Sequence, residues 1–151
     1  MAQEEDKPEP RFANKDAIPL VNWWSSAELC EKLGISEDLR KEFEVKLNNM
    51  QITYQIAQGN LKASRDKQSK MFYDGSVSEA ELAAFHAEHV AGNSDEMQRV
   101  NFQARTMVRK MLSKEQLAKI EATRPNFFGA RWFRFSSVRV QEGKVILKKK
   151  K

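Results

Sequence analysis

The chain has 151 residues, 26 Lys and Arg against 21 Asp and Glu for a net charge of +5, and 40% apolar residues, which fits one domain of ordinary composition and leaves little room for a multidomain enzyme. With 31% charged residues, 6 Gly, 4 Pro and apolar residues at helical spacing, the composition speaks for long solvated helices and against a doubly wound α/β sheet with glycine-rich loops. No apolar run approaches the length of a transmembrane segment, and no charged stretch followed by an apolar one reads as a secretory signal in these residues, which leaves open a signal already removed.

Residues 1–20, with Glu4, Glu5, Asp6, Glu9, Pro8, Pro10 and Pro19, carry too little apolar surface to offset ordering entropy and read as a flexible lead-in. The folded part is expected to begin near Val21, after which Trp23 and Trp24 lead into a short helix from Ser26 to Leu33. That helix is capped by Ser25 or Ser26 and stopped by Gly34. Its single cysteine, Cys30, excludes an internal disulfide and a Cys-only zinc site, and reads as a small packed hydrophobe.

Ser36 opens a much longer helix whose inward stripe is Phe43, Leu47, Met50, Tyr54, Ala57 and Leu61, with Glu37 and Asp38 favourably placed in the first turn. Val45, Ile52 and Ile56 form a second apolar edge off that stripe. It faces either another segment of the chain or a partner. Asp74-Gly75-Ser76 is a turn, and Ser78 with Glu81 is a capping box that starts the return helix. Leu82, Phe85, His89, Met97, Val100, Ala104, Met107 and Met111 point inward along it, with an interruption possible at Gly92-Asn93-Ser94. Leu112-Ser113-Lys114-Glu115-Gln116-Leu117 repeats the box and staple and starts a last helix, which ends by Pro125. Beyond it, residues 131–139 and 144–147 form a small hairpin or stay extended.

Charge is unevenly placed. Residues 124–151 hold nine cations and one acid, and residues 1–123 hold 17 cations and 20 acids, so the basic character belongs to an irregular aromatic tail, residues 125–151. A terminal lysine run is a solvated tail or a dock for an acidic surface. No nucleic-acid motif accompanies the aromatics, so nucleic acid is not expected as a partner.

Trp23-Trp24 followed by Gly34-Ile35-Ser36-Glu37-Asp38-Leu39, and later Leu112-Ser113-Lys114-Glu115-Gln116, resembles the Spy/CpxP family of bacterial periplasmic helical proteins, whose pattern is Leu-Thr-x-x-Gln at two helix starts, and its heavy-metal-sensor relatives. The second copy differs by Ser113 for Thr; the first has Ile35, Ser36 and Leu39 for Leu, Thr and Gln. The resemblance spans roughly residues 22–128 and makes Ile35, Ser36, Leu112, Ser113 and Gln116 its motif residues. It implies an all-α cradle: a long antiparallel helical hairpin with short flanking helices over residues 21–124, commonly a homodimer, in the periplasm of a Gram-negative-type bacterium. It further implies an ATP-independent chaperone or a modulator of envelope stress, whose partners are partly unfolded proteins or an envelope sensor protein.

A hairpin about 50 Å long cannot enclose its own apolar face, so a second chain is expected to cover part of it. A chaperone surface needs shallow apolar patches rimmed by cations, and Lys46, Ile52, Ile56, Lys62, Arg65, Arg105 and Arg109 are the residues expected to supply it; a solvated face with an ordinary dimer seam is the plainer alternative. His86 and His89 stand at the i,i+3 spacing that places two imidazoles on one α-helical face, the basis for an alternative role as a sensor of zinc, copper, nickel or cobalt. A further alternative is a structural adaptor docking through its basic tail. No phosphate loop, nucleophile elbow, His-Glu-x-x-His or Cys-His pair with an orienting acid is present, so no catalytic residue is assigned and an enzyme is not expected.

Overall fold

Four serines start the helices. Ser26, Ser36, Ser78 and Ser113 sit in extended backbone, and each accepts from the amide three residues on, satisfying a donor that a first helical turn leaves free. The computed structural model describes residues 17–135, 139–141 and 144–146. The serines open α1 (Ala27–Lys32), α2 (Glu37–Tyr73), α3 (Glu79–Phe85) and, after α4 (Gly92–Met111), α5 (Lys114–Thr123). Both expected capping boxes close, with Glu81 returning to the Ser78 amide and Gln116 to the Ser113 amide, each at 2.8 Å.

The fold is all-α, a long antiparallel hairpin with short flanking helices. α2 runs for 37 residues, about 55 Å at 1.5 Å per residue. Asp74 Oδ1 then accepts from the Ser76 amide at 2.9 Å and turns the chain back. Between α3 and α4 the helix widens to a π-helix over His86–Ala91. The interruption expected at Gly92 therefore lies one turn earlier, and the Asn93 amide bonds the His89 carbonyl at 2.6 Å.

The core gathers at the open end of the hairpin and uses both flanks of the chain. Trp23 is fully buried at its centre, with ring centroids 5.6 Å from Trp24, 5.5 Å from Phe43, 5.0 Å from Phe127 and 5.3 Å from Trp132. Phe133 fills the next layer against Trp24 and Tyr54. Leu20 is also buried and the Arg124 guanidinium bonds the Ile18 carbonyl at 2.8 Å, so the folded part starts before Val21, because both apolar side chains pack against the core. Residues 125–135 are irregular apart from a 3-10 turn at Phe127–Gly129, yet Phe127, Trp132 and Phe133 belong to the core, so the helical boundary at residue 124 is not where the packed unit ends. Toward the tip the hairpin thins, and α3 buries no side chain.

Of the two arrangements left open for the C-terminal stretch, a hairpin is adopted: β1 (Arg139–Gln141) pairs antiparallel with β2 (Lys144–Ile146), Val140 opposite Val145, beside α2. Residues 1–16 of the expected lead-in and the lysines at 148–151 lie outside the described residues.

Gly34 ends α1 with φ +81°, and the Ile35 amide reaches back to the Cys30 carbonyl at 2.9 Å, a Schellman close. An added Cβ would also stand 3.1 Å from Lys119 Cδ. Gly34→Ala is expected to lower stability by about 1 kcal/mol, mostly through the left-handed backbone, measured as a shift of the urea midpoint at unchanged slope.

Candidate binding surface

The two helix starts that carry the resemblance lie side by side. Ile35 and Leu112 are buried, Ser36 and Ser113 cap, and Gln116 Nε2 donates to the Gly34 carbonyl at 3.4 Å, joining the loops. These residues organise the base of the hairpin, where the Arg40 guanidinium also pins the Trp24 carbonyl at 2.9 Å and Glu37 at 2.7 Å. That bond holds the Glu37 carboxyl below its usual value.

Cys30 packs in this base, its thiol 3.5 Å from the Trp23 carbonyl. Burial pushes the thiol up from 9.0 to about 12, against the lowering charge of Arg40. The unfolded thiol ionises near its ordinary value while the folded one stays protonated, so unfolding releases a proton and stability falls as pH rises between about 9 and 12. Urea unfolding at pH 8 and pH 10.5 should show a larger loss for the native chain than for Cys30→Ala.

The expected cations do not form one patch. Lys46 is exposed but stands about a third of a turn around α2 from Ile52. Lys62 and Arg65 are exposed at the rim of a hollow of about 430 Å³ floored by Gly59, Leu61 and Met97. Arg109 is exposed on α4. Arg105 is a correction. Its Nε donates to the Phe128 carbonyl at 2.8 Å, its Nη2 to the Ala130 carbonyl, and its guanidinium lies 4.6 Å from the Trp132 ring centroid. It clamps the C-terminal segment, and burial lowers its pKa from the usual arginine value. A cation on an amphipathic helix reads as solvated because nothing local announces two carbonyls and an indole face arriving from residues 128–132.

The apolar edge of α2 does stay open. Val45 is 65% and Ile52 54% exposed, with Ile56 half-buried. Phe135, missed in sequence because it belonged to the tail, is also 54% exposed. Hydrogen bonds from α2 set it down beside the turn carrying Ile52: Gln51 Oε1 accepts from the Arg134 amide at 2.7 Å, and Gln55 Nε2 donates to the carbonyls of Arg134 at 3.2 Å and Phe135 at 3.4 Å. The Arg131 guanidinium covers one side of the Phe135 ring at 4.0 Å.

On the distal arm, a polar groove of about 920 Å³ lies between α2 and the π-helix, lined by Asn60, Ser64, Lys67, Phe85, Glu88 and His89 among others. The two histidines part company there. His86 Nδ1 pairs with Gln68 Oε1 at 2.9 Å, while the His89 ring lies 4.7 Å from that of Phe85. The i,i+3 face assumed an α-helical period, and the wider π turn rotates one imidazole away from the other. Among the described residues no group of three or more His, Cys, Asp or Glu comes together to hold a metal ion, and no helix is long and apolar enough to cross a membrane.

Comparison of the chain with protein-family models, with curated proteins and with solved structures finds no match in any of the three.

Proposed function

We propose that this protein is a non-enzymatic, ATP-independent binding protein of the chaperone type, which holds partly unfolded segments of other proteins against the open face of α2. The observation that supports this reading is the exposure of Val45 and Ile52 on a helix whose opposite face is locked into an aromatic core, with the exposed Phe135 of the C-terminal segment laid beside them. Exposed apolar side chains grouped on a rigid element favour association, and Arg131 at their edge adds long-range attraction for acidic chains. The resemblance to Spy/CpxP proteins agrees with it, and we extend the proposal to a periplasmic homodimer acting on unfolded clients or an envelope sensor.

The test is the aggregation of a chemically denatured client diluted into buffer with and without the protein, without ATP and with a chelator present. Suppression at a several-fold excess, persisting in chelator and weakening as salt rises, is the expected result. Val45→Ser with Ile52→Ser, both on the surface, should remove most of it while leaving the unfolding midpoint within about 0.5 kcal/mol of the parent. Full-strength suppression by that variant, or none by the parent, would overturn the assignment.

A further inference from the structure

Gln51 is the buried polar residue in an otherwise apolar stripe, and its carbonyl oxygen is aimed at a backbone amide of another segment. One turn on, Gln55 donates to two backbone carbonyls of that same segment. None of these bonds involves a side chain of residues 134 and 135, so any extended chain without proline at the first position satisfies them. The geometry suits extended chain: four helical residues rise about 6 Å, and two extended residues span about 6.6 Å. A glutamine per turn therefore keeps pace with alternate residues of a strand laid along the helix.

We propose that the Gln51–Gln55 face of α2 is a site for extended peptide main chain, that the protein's own residues Arg134 and Phe135 are its resident occupant, and that an acidic, apolar extended segment binds by displacing them. This rests on the binding-protein reading above and supplies its ligand chemistry and its control. The resident is flanked by the aromatic core before it and by the short hairpin beside α2 after it. Trp132 and Phe133 are buried in the core, whereas Arg134 and Phe135 are exposed and held by the two glutamines. Charge favours exchange as well. α2 carries seven cations against five acids and residues 134–151 carry seven against one, so face and resident repel each other weakly while an acidic segment is attracted to both. Ile52 and Val45, on the neighbouring rows of α2, then offer the newcomer the apolar contacts that Phe135 vacates.

The probe is a fluorescein-labelled synthetic peptide of mixed valine, serine and glutamate. In the full chain, saturating probe should speed hydrogen exchange of the Arg134 amide at least tenfold, while the Asn22 amide, bonded to the Trp132 carbonyl at 2.8 Å, keeps its protection. Arg134→Pro, which removes the donor to Gln51, should tighten probe binding about threefold or more, and ending the chain at Phe135 should do at least as much. Asn22 protection reports whether either variant keeps its core. Binding of the probe with Arg134 exchange unchanged or slowed, or with affinity lowered in both variants, would overturn the displacement proposal and leave the binding reading standing. Absence of probe binding to all three chains would overturn both.

Discussion

Trp132→Ala should be the most damaging single substitution outside the helices, lowering stability by about 3–5 kcal/mol and the thermal midpoint by about 10 °C for a chain of this size. The ring is fully buried and packs against Trp23, Phe127 and Phe128. Its indole N–H donates to the Phe127 carbonyl at 2.7 Å, so truncation opens a cavity and also strips a buried acceptor. Trp132→Phe keeps most of the packing and loses the bond, and should cost less than half as much. Urea unfolding followed by circular dichroism would check both. A loss under about 1 kcal/mol for the alanine variant would mean that the C-terminal segment is not part of the core.

Arg105→Ala is expected to cost about 2–4 kcal/mol, a size normally reserved for core truncations. Two backbone carbonyls, those of Phe128 and Ala130, lose their donor in a half-buried site, and the Trp132 face loses its cation. Arg105→Lys should recover little, since a single ammonium cannot fork between two carbonyls while lying on the ring. Arg109→Ala, one turn on and exposed, should stay within about 0.5 kcal/mol of the parent. Because Arg105 and Trp132 touch, the double variant should lose less than the sum of the two single losses. Equal behaviour of Arg105→Ala and Arg109→Ala would show that the clamp is not formed in solution.

The elements that sequence reading recovered are those whose signal is local. Ser36, Ser78 and Ser113 cap from within their own turn, Gly34 needs a left-handed residue where glycine stands, and Asp74 folds back on Ser76, so residue type and spacing were enough. Stripes such as Phe43, Leu47 and Tyr54 were legible for the same reason. What escaped depended on groups distant in sequence. Trp132 and Phe133 sit among arginines in a basic stretch, and their burial follows from meeting Trp23 and Tyr54, which lie far earlier in the chain. Gln51 carries no local signal of its own, and only the arrival of the Arg134 amide gives it a role. The histidine pair was placed on an α-helical period, and the stretch that carries it, His86–Ala91, is instead a π-helix with a wider turn. Of the binding surface, the Val45–Ile52 edge was visible in the heptad spacing of apolar residues, while Phe135 and Arg131 were not, because they reach it through tertiary contacts.

Placing Trp23 between Phe43 on one side and Phe127 and Trp132 on the other sets an order of events during synthesis. The helices of the hairpin can form as they emerge, being local, but their open end has no lid until residues 127–133 leave the ribosome. Until then Trp23, Trp24 and Phe43 face solvent on a half-made product that is itself prone to stick. A nascent chain halted at residue 124 should therefore be protease-sensitive throughout α1 and the start of α2, whereas one released after Phe135 should not. The last aromatic residues of the fold thus act as a completion signal, converting a string of helices into a finished protein in one late step.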